Sequence, residues 1–134
     1  MRVPVLCFAL TLLLVSCDDD PFRPSDIKEV TWKLELIEPD RVAPIQIPNP
    51  DLYTLTLGND GRVSVRADCN NCSASYTLDG SRLRIGALAC TLIGCPSGSL
   101  GASYAVNLEG TSSITISDSH LVLRNEIATL RFRN

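Results

Sequence analysis

Residues 53–67, YTLTLGNDGRVSVRA, decide how this chain folds. Tyr53, Leu55 and Leu57 alternate with Thr54 and Thr56, and after Gly58-Asn59-Asp60-Gly61 the residues Val63, Val65 and Ala67 alternate with Ser64 and Arg66. Apolar side chains at period two put one face of each run on a core and the other in water. With a Gly- and Asp-containing turn between them, the two runs read as a β-hairpin. Working outward, residues 73–78 and 81–85 repeat the arrangement around Asp79-Gly80. Ile114 and Ile116 do so again with Leu121 and Leu123, around Asp118-Ser119. Leu130 and Phe132 mark a last strand after Asn125-Glu126. Upstream, Trp32, Leu34 and Leu36 share one face, with Lys33 and Glu35 on the other.

Two segments depart from period two. Pro39, Pro44, Pro48 and Pro50 each remove a ladder donor, so no regular element is expected over residues 38–50. Leu100, Tyr104 and Leu108 recur every four residues, which predicts a short helix within residues 97–108, weakened by Gly98 and Gly101. The expected fold is therefore mainly β (α+β): about eight short antiparallel strands curled into a closed or partly closed β-barrel, with one short helix. Leu, Ile and Val would fill most of the core, with Trp32 and three tyrosines as its large pieces.

The chain has 134 residues, 45% hydrophobic, 20% charged and 5% aromatic, which suits one small domain and excludes a two-domain enzyme. Twelve basic and fifteen acidic residues, dispersed along the chain, make no stripe that would counter a phosphate backbone. At the N-terminus Met1-Arg2 precedes an apolar run over residues 3–15, broken only by Pro4 and Thr11. This is the pattern of a secretory signal. It falls short of the ~20 apolar residues that cross a bilayer core, and Asp18, Asp19 and Asp20 follow at once.

The run ends in Leu14-Val15-Ser16-Cys17, which resembles the bacterial lipobox. The resemblance implies cleavage before Cys17 and acylation of that cysteine, with each buried CH₂ contributing ~0.8 kcal/mol to anchoring. Residues 1–16 are then a lipoprotein signal peptide, and residues 17–29 a lipidated Cys followed by an acidic, Pro-containing tether. Cleavage would leave 118 residues with 11 basic and 15 acidic side chains, because Arg2 is the only charge removed. An Asp just after the acylated Cys resembles an inner-membrane retention signal in some bacteria, and an acidic cluster there resembles a surface-export signal in others. Either face of the envelope stays open.

Cys7 lies in the signal, leaving Cys69, Cys72, Cys90 and Cys95 in the domain. An even set in a secreted chain reads as a disulfide framework. Three pairings are open, and the spacings do not choose between them. Cys69-Asn70-Asn71-Cys72 also has the CxxC spacing of a redox site, but such a site needs a helix N-terminus or similar device to lower the thiolate pKa, and strands flank this one. Zinc would want closer spacing than that of Cys90 and Cys95. No metal ion or cofactor is expected.

Several short motifs together resemble the META domain, the HslJ-like family of bacterial envelope and heat-shock-associated proteins. They are Trp32-Lys33-Leu34, Tyr53-Thr54-Leu55-Thr56-Leu57 before Asn59-Asp60-Gly61-Arg62, Asp68-Cys69-Asn70, Ser73-Ala74-Ser75-Tyr76, Leu83-Arg84-Ile85 and Thr91-Leu92-Ile93-Gly94-Cys95. The likeness covers residues 30–134. The family's two usual cysteines match Cys69 and Cys95, so the resemblance implies a 69–95 bridge and leaves Cys72 to pair with Cys90. Each bridge would close a loop of about 20 residues and contribute about 3 kcal/mol. The sequence departs from the family pattern at Ala67-Asp68, where a small residue and Gly or a similar residue usually precede Cys, and at Ala74, where Gly is usual.

Asn70 and Asn71 are candidates for binding a ligand or for satisfying local backbone. His120, the single histidine, starts a strand after a turn and is expected to face solvent. Asp60, Asp68, Asp79 and Asp118 could in principle pair for acid/base work, but three of them occupy or adjoin turns, where Asp is favoured structurally. The expected function is that of a non-catalytic, lipid-anchored envelope module. Its partners would be the membrane, through lipid on Cys17, and an envelope protein. Nucleic acid is not expected, and a monomer is. One alternative is an envelope inhibitor of a lysozyme or protease, using residues 39–51 as its projecting loop. The other is a small-molecule carrier, which needs an internal cavity of at least ~300 Å³.

Overall fold

The alternation at 53–67 becomes the hairpin of β3 (Tyr53–Leu57) and β4 (Arg62–Ala67), with Leu55 opposite Val65. This computed structural model describes residues 23–134. The expected signal peptide, Cys17 and the first part of the expected tether lie outside the described residues. The remaining elements are β1 (Trp32–Pro39), β2 (Ile45–Gln46), β5 (Asn70–Asp79), β6 (Arg82–Ile85), β7 (Ala89–Cys90), α1 (Gly101–Leu108), β8 (Gly110–Ser117), β9 (His120–Arg124) and β10 (Ala128–Arg133).

Every pairing between these strands is antiparallel, in the order β1-β3-β4-β5-β6-β8-β9-β10, and β10 returns to pair with β1. Eight strands thus close a barrel, which leaves that ring without a free edge. The two-residue strands β2 and β7 hang on β1 and β5. The inward side chains are Trp32, Leu34, Ile37, Leu55, Leu57, Val63, Leu83, Leu121, Leu130 and Phe132, among others, all buried.

The order and antiparallel sense sort the connections into two ends. Residues 58–61, 80–81 and 118–119 lie at one end, where the chain also enters β1. The Pro-rich segment, the β4–β5 turn, the long β6–β8 connection containing α1, and residues 125–127 lie at the other. α1 closes that second end. Its Tyr104 is fully buried, packing edge-on to Tyr53 at 6.0 Å between centroids and tilted against Phe132 at 6.2 Å.

Several expectations need correction. Leu36 does not share the face of Trp32 and Leu34. A β-bulge lies between Leu34 and Leu36 in the pairing with β10, so the next buried residue is Ile37 and Leu36 is half-buried. One inserted residue reverses the parity of everything after it. Residues 38–50 are not free of regular structure either. β1 runs to Pro39, and Ile45 and Gln46 pair with Ile37 and Leu36 between two prolines whose own nitrogens stay outside the ladder. The helix begins at Gly101 rather than near Ser97, because Gly98 has φ +85° in a turn closed by Ser99 N–H to Pro96 O at 3.2 Å.

Residues 24–29, expected as the end of a tether, belong to the domain instead. A 3₁₀ turn at Pro24–Asp26 leads to Ile27, which has no exposed surface, and the Trp32 indole N–H donates to its carbonyl at 3.1 Å. Glu29 N–H donates to Leu57 O at 2.9 Å, and Asn59 N–H donates to the Glu29 carboxylate at 2.6 Å. The domain therefore starts by residue 24, at the end opposite α1.

Tyr104 buries its hydroxyl with no hydrogen-bond partner among the described residues, and burial pushes its phenol well above the usual tyrosine range. An unsatisfied buried hydroxyl costs roughly 1–3 kcal/mol. Tyr104→Phe removes that cost while keeping the ring, so chemical denaturation should show a gain of about 1 kcal/mol. An unchanged or lower midpoint would mean the hydroxyl has a partner.

Candidate docking surface

The β4–β5 turn brings the first cysteine pair to the α1 end. Asp68 takes φ +61°, a left-handed conformation that Asp tolerates better than most residues and that suits glycine, the residue usual in the resembling family. That turn places Cys69 at its corner and starts β5 at Asn70, so Asn70 and Asn71 lie in a strand. Cys72 sits directly opposite Cys90 on β7 and is bonded to it, while Cys69 is bonded to Cys95. Both bridges fasten residues 90–95 to the barrel wall.

Asn70 completes the fastening. Its carboxamide oxygen accepts from Ile93 N–H at 2.7 Å and from the Thr91 hydroxyl at 2.9 Å, and its NH₂ donates to Ile93 O at 3.0 Å. Thr91 N–H donates to Asn71 O at 3.0 Å, prolonging the β7–β5 pairing by one bond, and Asn71 N–H donates to the Thr91 hydroxyl at 3.1 Å. The Asn70 amide is therefore spent on the loop, whereas the Asn71 side chain is exposed.

Leu92 takes part in none of these contacts. It is 98% exposed, and its neighbour Ile93 is 58% exposed. Beside it lies a cleft of about 180 Å³ lined by Ala67, Cys72, Cys90, Leu92, Ala102 and Ala105. Val106, one helical turn beyond Ala102, is 62% exposed. A rigid loop, an apolar cleft and an apolar helix face thus adjoin one another. None of the described residues covers Leu92, although a leucine left in water forfeits roughly 1.5–3 kcal/mol of burial.

Gly101 holds the helix side of this cleft. An added Cβ would meet Ala67 O at 2.7 Å, which is backbone and cannot swing away. Gly101→Ala is expected to cost roughly 1–3 kcal/mol despite alanine's better helix propensity, and to displace α1. Denaturant midpoints check the first effect, and amide shifts of residues 101–108 check the second.

The other nominated residues are scattered. His120 is exposed, with Nε2 4.0 Å from a Glu35 carboxylate oxygen that shares its residue with Arg133. Asp60 accepts from Arg62 N–H within its turn, Asp79 faces Arg82 across a hairpin and Asp118 occupies another turn, all at the end away from Asp68. Among the described residues no group of three or more His, Cys, Asp or Glu is arranged to hold a metal ion.

Much of the Pro-rich segment is fastened to the barrel, while residues 40–44 are exposed, with Val42 at 65%. Ile47 is buried and its N–H donates to Glu35 O at 3.0 Å, and Asp40 N–H donates to Ile127 O at 2.9 Å. Asp51 is tied to Lys33 at 2.7 Å, and that ammonium holds its carboxyl below the usual carboxylate range. Residues 91–94 form a second exposed loop, carrying Leu92. Sequence patterning passed over it, since two adjacent aliphatics between cysteines fit neither period; their isolation from any amphipathic run was the available hint.

The model of the META domain matches residues 25–134. The chain belongs to the META-domain family. That match begins within the turn that leads to Ile27, in keeping with the early start of the domain. Among solved structures, an NMR structure of a protein from Burkholderia xenovorans has a TM-score of 0.67 at 22% identity, covering 98% of this chain and 97% of that one. A second NMR structure has a TM-score of 0.62 at 20% identity, covering 84% of this chain and 94% of the other. At such identities they share a fold with this chain and nothing finer. No curated protein matches it.

Proposed function

We propose that this META-domain protein is a non-catalytic binding module, anchored to an envelope membrane by lipid on Cys17, that engages an envelope protein through its α1-capped end. The observation that carries the reading is Leu92, a large aliphatic side chain fully offered to solvent by a loop too well fastened to fold it away. The chain enters the barrel at the opposite end. A tether from Cys17 to Arg23 spans at most ~20 Å when extended, so it would set that opposite end toward the bilayer and the loop away from it. This favours a protein over lipid as the occupant. The interior, filled by Trp32, Tyr104, Phe132 and eleven aliphatic side chains each under 2% exposed, favours surface binding over carriage of an internal ligand.

A photo-crosslinking residue placed at position 92 of the lipid-anchored protein should give a discrete protein adduct in intact envelopes, and one placed at Asp79 should not. Adding Ile93→Glu should remove the adduct. Lipid adducts at position 92, or equal protein adducts from both ends, would refute the docking surface. For the anchor, labelled palmitate should enter the wild-type protein and not Cys17→Ala; labelling of both would refute acylation at Cys17.

A further inference from the structure

Endopeptidases bind the chain they cut as an open strand, with the side chain before the scissile bond seated in a pocket. A loop already fixed in such a state loses little freedom on binding, which raises affinity by lowering the ordering cost. Residues 90–95 are fastened in place, with no helix or turn over 91–94. The backbone on either side of Leu92 is held from beneath, through Thr91 by Asn71 and through Ile93 by Asn70, while Leu92 itself stands out at 98% exposure. Beyond these, Cys90 and Cys95 are each bonded to β5 or its preceding turn.

We infer that residues 91–94 form an inhibitory loop for a serine endopeptidase with an apolar primary pocket, and that Leu92 is the side chain that fills it. This rests on the protein-docking reading and names the class of partner. Leu92 is slender and uncharged, as a hydrophobic slot requires, and residues 91–94 carry no charge that such a slot would have to desolvate. The exposed Ile93 would meet the leaving-group side of the cleft, and Ala102 and Val106 would lie along its rim.

The same fastening explains why such a loop would block rather than feed the enzyme. Hydrolysis of the Leu92–Ile93 bond adds one water and leaves a Leu92 carboxylate and an Ile93 ammonium, and re-forming the bond expels that water. The two new ends stay tied through Cys90 to Cys72 and through Cys95 to Cys69, and Asn70 still bridges Thr91 and Ile93. Neither end leaves the cleft, so the cut bond can re-form.

The test titrates the full-length protein, bridges intact, against chymotrypsin, subtilisin and trypsin. Competitive inhibition of chymotrypsin or subtilisin with Ki at or below about 1 μM is expected, with trypsin unaffected. Leu92→Arg should weaken inhibition of the apolar-pocket enzyme on the order of 100-fold and confer inhibition of trypsin, a gain that a misfolded variant could not show. Asn70→Ala should weaken inhibition about tenfold and speed cleavage after Leu92, seen as the mass of one added water with the pieces joined until reduction. Failure of the wild-type protein to inhibit either apolar-pocket enzyme, or indifference of inhibition to Leu92→Arg, would overturn the inference. In that event a surviving crosslink at position 92 would show that the docking surface stands without an inhibitory role.

Discussion

Reducing both disulfide bonds is expected to remove about 5–6 kcal/mol of stability, enough to unfold a domain of ordinary margin at 37 °C. Taken singly, the bridges span sequence separations of 26 and 18 residues, and the chain-entropy model gives each a little over 3 kcal/mol. They do not add fully. The 72–90 bridge lies inside the 69–95 loop, so once it has formed, the outer bridge closes a much shorter effective ring. The pair should fall short of the sum of the single effects by about 1 kcal/mol. Urea denaturation of Cys69→Ala/Cys95→Ala, Cys72→Ala/Cys90→Ala and the quadruple variant measures all three numbers. Full additivity would show that the unfolded chain does not feel the nesting.

The two bridges differ in what they hold. Cys72 is buried and joins two paired strands, so its loss opens a gap in the wall between β5 and β7. Cys95 is half-buried at the foot of the exposed loop, and its loss frees residues 91–95 while Asn70 keeps only its hydrogen bonds. The quadruple variant should thus lose the fold. The 69–95 variant should keep the barrel and lose the rigid presentation of Leu92.

Period-two alternation made the barrel legible because its walls have one wet face and one dry face, and the hairpin turns at 58–61 and 118–119 fall where the sequence puts them. What escaped is what alternation cannot encode. The bulge after Leu34 needs the partner strand β10 to be seen, since Leu36 and Ile37 are both apolar and either could face inward. β2 is only two residues long and is made by β1, with nothing in its own composition to announce it. Asn70 could be nominated but its work could not be read, because its partners Thr91 and Ile93 lie more than twenty positions away. The exposed loop escaped for a related reason: a hydrophobic residue reads as core until the fold shows that no core is left for it.

Trp32→Ala is expected to cost about 4–5 kcal/mol, the largest effect of any single substitution considered for this chain. Trp32 is 1% exposed where β1 meets β3, and truncation leaves a cavity that the paired strands cannot collapse. It also strips the buried Ile27 carbonyl of its indole donor. Trp32→Phe, which keeps most of the apolar volume but not the N–H, should cost only about 1–2 kcal/mol. Ile27→Ala should cost about 2–4 kcal/mol, a loss that no tether residue would produce. Because the Trp32 indole hydrogen-bonds the Ile27 backbone, the two residues adjoin and the double variant should lose about 1 kcal/mol less than the two single losses together. Denaturant midpoints at constant m-value give these energies, and an Ile27→Ala variant as stable as wild type would return residues 24–29 to the tether. That outcome would also bear on function. With the proposed lipid anchor on Cys17, losing Ile27 would lengthen the leash to the domain, and the loop bearing Leu92 would no longer be held facing away from the bilayer.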